Sequence, residues 1–211
     1  MLLFSPELCG SRDPLATLAA ALPWVDVVQI RPKPASPGRI HAAPCAARDV
    51  HEWCARVLDL VDPTRTLVIV DDRVDVAAAL SSRGCAGVHL GQDDCPVSVA
   101  REMLGADALV GLSTHTMEQV VEGAECAVDY LGFGPVHATA TKGYERGLGA
   151  DACWLATLGT TLPVFAIGGI DATNVGELAR VGRVAVSSAI LAAEDPGRAA
   201  RELRGLLVGD E

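Results

Sequence analysis

The feature that most constrains this chain is an alternation. Short β-branched runs recur along it, separated by Ala- and Leu-rich stretches whose apolar residues fall at helical spacing. The runs are Leu2–Phe4, Val25–Ile30, Leu67–Val70, Gly87–Leu90, Leu109–Leu112, Tyr130–Phe133, Val164–Ile167 and Arg183–Val186. Helical segments between them include Val74–Leu80, Ser98–Leu104, Met117–Gly123, Ala152–Leu158 and Asn174–Val181. Strands that are apolar throughout, each followed by a helix, belong in a parallel sheet covered on its outer surface by helices. Eight such units close on themselves, so the expectation is α/β: one (β/α)8 TIM-barrel domain over residues 1–211. An open doubly wound sheet is the competitor, but no GxGxxG follows the first strand, which disfavours its dinucleotide-binding form. Half the residues are apolar and only 4% are aromatic, so Ala, Val, Leu and Ile must build the core.

Charge and cysteine usage narrow the partners. A net charge of −10 argues against nucleic acid, which needs a basic face. Small phosphorylated ligands remain open, because a local site holding a divalent cation can outweigh the global field. The seven cysteines include no CxxC pair, and no apolar run reaches the length of a membrane span. A reduced cytoplasmic protein, with neither nucleic acid nor membrane as partner, is the expectation; a homo-oligomer is left open. The stretch 32–44, PKPASPGRIHAAP, holds four prolines and a glycine in thirteen residues and is expected to be a loop at the catalytic face, read equally as one that closes over the site or as a disordered surface loop.

In such barrels chemistry sits at the C-terminal strand ends, and the polar residues fall there. Strand two ends in Gln29-Ile30-Arg31-Pro32-Lys33 and strand three in Asp71-Asp72-Arg73. Strand four carries His89 and runs into Gly91-Gln92-Asp93-Asp94, and strand five ends in Ser113-Thr114-His115. Strand six leads to Thr139-Ala140-Thr141-Lys142-Gly143, strand seven to Gly168-Gly169 and strand eight to Ser187-Ser188. Asp72 and Asp94 follow adjacent strands, and two carboxylates completed by substrate phosphates are a usual Mg²⁺ arrangement. Taken singly, each is more readily a helix cap; taken with the basic groups opposite, metal binding is the favoured reading. Arg31 and Lys33 alternate on extended chain and so face one way, as a fork and a point charge suited to diphosphate. Thr139, Thr141 and Lys142 sit in a loop whose hydroxyls and amides could cradle phosphate. Gly168-Gly169 and Ser187-Ser188 occupy the customary phosphate position after strands seven and eight. A buried histidine is more often a core residue than a ligand contact, and His89 is weighed as either.

Read in order, VQIRPK, VDDRVDVA, GVHLGQDD, GLSTHT, DYLGFGPVHATATKG, PVFAIGGI and VAVSSAI resemble the successive signatures of the thiamine-phosphate synthases. The resemblance runs from about Val27 to Ile190. It implies an enzyme, a Mg²⁺-dependent transferase that joins a hydroxymethylpyrimidine diphosphate to a thiazole phosphate and releases pyrophosphate. Gln29, Arg31 and Lys33 would match the residues for the pyrimidine and diphosphate. Asp72 and Asp94 would match the metal ligands, and Ser113 and Lys142 further diphosphate contacts. Thr139, Thr141, Gly169 and Ser188 would match the thiazole phosphate site. Arg31, Lys33, Ser113 and Lys142 are the expected catalytic groups; Asp71, His89 and Ser187 join the expected substrate shell. Asp71 stands where the family commonly has Asn, and is expected to join the metal shell or pair with Arg73. The segment Val181-Gly182-Arg183 looks shortened. Two other readings are a thiazole tautomerase-like relative and a catalytically silent phosphate-ligand sensor. Retention of Asp72, Asp94, Thr141 and Lys142 favours the synthase.

Overall fold

The computed structural model describes residues 1–32, 46–138 and 146–209. Eight strands, β1 (Leu2–Phe4), β2 (Val27–Ile30), β3 (Leu67–Asp71), β4 (Cys85–Leu90), β5 (Leu109–Thr114), β6 (Tyr130–Phe133), β7 (Val164–Ile167) and β8 (Val184–Ala185), form one sheet in sequence order. All pairs are parallel. Leu3 N donates to Val186 O at 2.8 Å and Val186 N to Met1 O at 3.1 Å, which joins the last strand to the first and closes the barrel. Closure removes both sheet edges, so every strand finds a ladder partner on each side.

Helices α1 (Pro14–Ala21), α2 (Ala47–Leu58), α3 (Val74–Leu80), α4 (Val97–Leu104), α5 (Met117–Glu125), α6 (Ala150–Leu158), α7 (Ser188–Leu191) and α8 (Pro196–Val208) accompany the strands. Several are started by short-range chemistry. Asp13 and Asp195 accept from the amides of Ala16 and Arg198, each with a proline in the next position, where no amide hydrogen is needed. Thr116 does the same for Gln119 N. The expected helix over Asn174–Val181 contracts to a 3-10 turn, Val175–Leu178. Gly176 sits inside it, and Asn174 Oδ1 accepts from Asp171 N while its amide donates to Gly169 O, so the side chain competes with helical bonding. The second strand starts at Val27 because Val25 N is taken by Leu22 O, closing the turn Leu22–Trp24.

Strand parity separates two interiors. Val28, Ile30, Val68, Val70, Val88, Leu90, Val110, Leu131 and Phe133 point outward and pack with Leu18, Cys54, Val57, Leu80, Ala100, Val120 and Ala156 of the helices. Burying each such Val or Leu contributes about 1.5–3 kcal/mol. Leu3, Ile69, Tyr130 and Ala185 are buried apart from that cluster. They share the opposite parity with Gln29, His89 and Ser113 and line the barrel's own interior, which therefore turns polar toward the C-terminal strand ends. Among the described residues no helix is long and apolar enough to cross a membrane.

Candidate active site

A cavity of about 440 Å³ opens at the C-terminal ends of the strands. It is lined by Gln29 of β2 and Arg31 just after it, Asp71 of β3, His89 of β4, Ser113 of β5, Gly168 and Gly169 after β7, and Ser187 and Ser188 after β8. One opening thus collects eight of the residues read from the sequence as substrate contacts: Gln29, Arg31, Asp71, His89, Ser113, Gly169, Ser187 and Ser188. Lys33, Thr139, Thr141 and Lys142 lie outside the described residues, as does nearly all of the proline-rich loop.

The β2–β5 side is an ion-paired lattice of side chains. Register carries Arg31 opposite Asp71, and Arg31 Nε lies 3.0 Å from Asp71 Oδ2. Gln29 Nε2 donates to Asp71 Oδ1 at 2.6 Å. The sequence left Asp71 to a metal or to Arg73; its carboxylate holds Gln29 and Arg31, and Arg73 Nε bonds Asp75 at 2.8 Å. Both partners of the Arg31–Asp71 pair are only slightly exposed, at 13% and 11%, so the pair works largely shielded from solvent. Next along the sheet, His89 Nε2 contacts Ser113 Oγ at 2.9 Å and His89 Nδ1 contacts Tyr130 Oη at 3.0 Å. Burial, and after it the Asp71 and Asp129 carboxylates, raise the Tyr130 phenol above its ordinary range.

Neither Asp72 nor Asp94 lines this cavity. Asp72 N bonds His89 O at 2.8 Å, one step beyond the Asp71–His89 register pair, and its backbone adopts φ 61°. Asp tolerates this left-handed conformation better than most residues. Asp94 Oδ2 accepts from Gly91 N at 2.6 Å. In a parallel ladder Gly91 N is the next β3-facing donor after His89 O, so the Asp94 carboxylate ends the β3–β4 ladder on the side where Asp72 stands. Among the described residues no group of three or more His, Cys, Asp or Glu side chains is arranged around a metal position. Two carboxylates still fit Mg²⁺, which is commonly held by one or two with the rest of its shell from phosphate and water. The exposed Asp94 has Oδ2 on a backbone amide and Oδ1 available for such a ligand.

The β7–β8 side is built from backbone. Gly168 and Gly169 have φ 100° and 63°. A Cβ on Gly169 would stand 2.4 Å from Ala138 O, and one on Gly168 would stand 2.6 Å from Pro135 Cβ. Glycine is therefore required at both positions, by conformation and by space. Ser187 Oγ donates to Leu3 O at 2.8 Å, so its hydrogen ties β8 to β1, while Ser188 is exposed on the cavity wall. Asp171, also on the cavity wall, turns Oδ1 to the amide and hydroxyl of Thr173 at 2.8 and 2.6 Å. The Thr173 hydroxyl, then its amide, then His137 hold that carboxyl below its ordinary range.

Sequence reading overlooked Tyr130. It is inward-facing by parity with Gly132 and Gly134, but it lies at the start of β6, whereas attention to strand ends favours the last residues of each strand.

Comparison with known proteins agrees with the fold. A family model described as thiamine monophosphate synthase matches residues 1–190. A thiamine-phosphate synthase of Synechococcus sp. (strain WH7803) is 42% identical over 90% of this chain and 50% of its own length. One from Mycolicibacterium vanbaalenii is 42% identical over 90% of this chain and 85% of its own. The chain spans half or less of several of its curated relatives, 39% of one from Synechococcus sp. (strain CC9605) and 41% of one from Prochlorococcus marinus. A solved thiamine phosphate pyrophosphorylase from Pyrococcus furiosus superposes with a TM-score of 0.79 at 29% identity, covering 98% of this chain and 93% of that one. A 3-hexulose-6-phosphate synthase, at 15% identity and TM-score 0.68, shares the fold alone. With the barrel, its polar mouth and a family match over residues 1–190 in agreement, the chain belongs to the thiamine monophosphate synthase family.

Proposed function

We propose that this chain condenses 4-amino-5-hydroxymethyl-2-methylpyrimidine diphosphate with thiazole phosphate, giving thiamine phosphate and pyrophosphate. The observation that carries the reading is the single cavity in which Gln29, Arg31, His89 and Ser113 face Gly168, Gly169 and Ser188. One side offers a guanidinium and a hydroxyl for a diphosphate; the other offers a glycine turn and a serine for a monophosphate.

Arg31, pre-set by Asp71, exchanges part of that ion pair for the incoming diphosphate and stabilises the charge that develops as the C–O bond breaks. Ser113 adds a hydroxyl. Lys33 and Lys142 supply further cationic charge in the same reading, and Thr139 and Thr141 hydroxyls join Gly169 and Ser188 around the thiazole phosphate. Bond breaking leaves a cation on the pyrimidine methylene, and the thiazole nitrogen attacks it. Anchoring the thiazole by its phosphate supplies the orientation. The scheme needs no protein nucleophile. Asp72 and Asp94 are the proposed ligands of Mg²⁺, which when bound would neutralise diphosphate charge. A cytoplasmic setting is proposed from the free thiols of the six cysteines among the described residues.

The test is pyrophosphate release by purified protein with Mg²⁺ and one or both substrates. Release only with both is the expected result. Binding of each substrate with no coupled product would sink the proposal and favour the sensor.

A further inference from the structure

The 2.9 Å contact between His89 Nε2 and Ser113 Oγ has two chemical senses. If Nε2 accepts, Ser113 gives its hydrogen to the imidazole and presents lone pairs to the cavity, as in a serine nucleophile with its base. If Nε2 carries the hydrogen, Ser113 accepts from the ring and its own O–H is left to donate elsewhere. Only the second arrangement suits an anionic ligand.

Tyr130 decides between them. Its phenol is buried inside the barrel, 6% exposed, and its Oη lies 3.0 Å from His89 Nδ1. A buried hydroxyl donates to an acceptor within reach, because an unmet O–H in a low-dielectric interior is costly. Burial, and after it the Asp71 and Asp129 carboxylates, oppose ionisation of the phenol, so the hydrogen stays in place. Nδ1 therefore accepts, and an imidazole that accepts at Nδ1 carries its hydrogen on Nε2.

The surrounding backbone makes room for this pair. The two rings are stacked with centroids 5.4 Å apart, and Phe165 closes on Tyr130 edge-on at 5.5 Å. A Cβ on Gly111 would stand 2.1 Å from Tyr130 Cζ and 2.5 Å from His89 Nδ1. One on Gly132 would lie 3.3 Å from His89 Cε1. Glycine at 111 is a matter of space, since any side chain there would displace both rings.

We propose that Tyr130 is a positioning residue: acting through His89, it fixes the Ser113 hydroxyl as a hydrogen-bond donor aimed at a phosphate group in the cavity. This rests on reading the cavity as a phosphate site and deepens that reading.

Two measurements test it. Nitrogen-15 spectra of histidine-labelled protein report which ring nitrogen of His89 is protonated. The wild type is expected in the Nε2–H form, and Tyr130→Phe is expected to lose that single form. Titration with inorganic pyrophosphate in Mg²⁺ reports the consequence: Tyr130→Phe should weaken binding about tenfold, the value of one hydrogen bond to a charged group. In a Ser113→Ala background the same change should weaken it no further. An Nδ1–H ring in the wild type would overturn the proposal and make Ser113 a nucleophile candidate. So would an undiminished effect of Tyr130→Phe in Ser113→Ala. Absence of coupled product, with the tautomer and pyrophosphate results as expected, would count against the thiamine reading while leaving the relay standing.

Discussion

On the β2–β5 side of the barrel mouth the polar groups are side chains; on the β7–β8 side they are mostly backbone. The first side holds Gln29, Arg31, Asp71, His89 and Ser113, locked by contacts of 2.6 to 3.0 Å. The second holds two left-handed glycines and two serines, one of them tied into the barrel seam. Side chains concentrate full charges and can trade partners, which suits a diphosphate whose charge changes during reaction. Backbone amides offer fixed partial charges at close range, which suits a phosphate that only has to be held.

This contrast can be broken by substitutions on each side. The largest effect is expected at Asp94. Asp94→Ala should lower turnover at least about a hundredfold, some 2.7 kcal/mol of transition-state stabilisation. Thermal stability should barely move, because the half-buried Gly91 amide that the exposed Asp94 accepts from can bond water in its place. Matched losses of activity and melting temperature would show Asp94 to be a structural cap. Gly169→Ala comes next. The added methyl meets Ala138 O and forces a left-handed alanine, at about 1–2 kcal/mol for the conformation alone. The KM for thiazole phosphate should rise more than that for the pyrimidine diphosphate. An equal rise in both would erase the distinction between the two sides. The smallest effect is expected from Ser187→Ala, which removes the bond to Leu3 O and should cost about 1 kcal/mol of stability with both KM values unchanged. A selective rise in the thiazole phosphate KM would instead place Ser187 in the phosphate site.

The sequence-level reading recovered the backbone side and the side-chain side by different routes and to different depths. Gly168-Gly169 followed by a serine-bearing last strand is a local pattern, and the structure finds both positions on one cavity wall. Arg31 was placed by its alternation with Lys33, and Gln29 by the resemblance to the family. Asp71 was harder, because its partners, Gln29 and Arg31, are forty or more residues away in sequence. A carboxylate that could cap, chelate or pair has no local signal for which it does. Tyr130 escaped for a related reason: its role comes from a histidine on β4, from a glycine on β5 that leaves both rings room and from one on β6 that leaves room for the histidine.

The sequence by itself determined the alternation of strand and helix, the family, and the level of the barrel at which polar groups would gather. Those follow from periodicity, turn residues and the parity of side chains, all of which act over a few residues. Only the tertiary structure decided which carboxylate meets which cation, which serine is committed to the seam, and which serine lines the cavity without a bond to it. Those outcomes depend on strand register and on space between distant segments, where a shift of an ångström changes a hydrogen-bond partner.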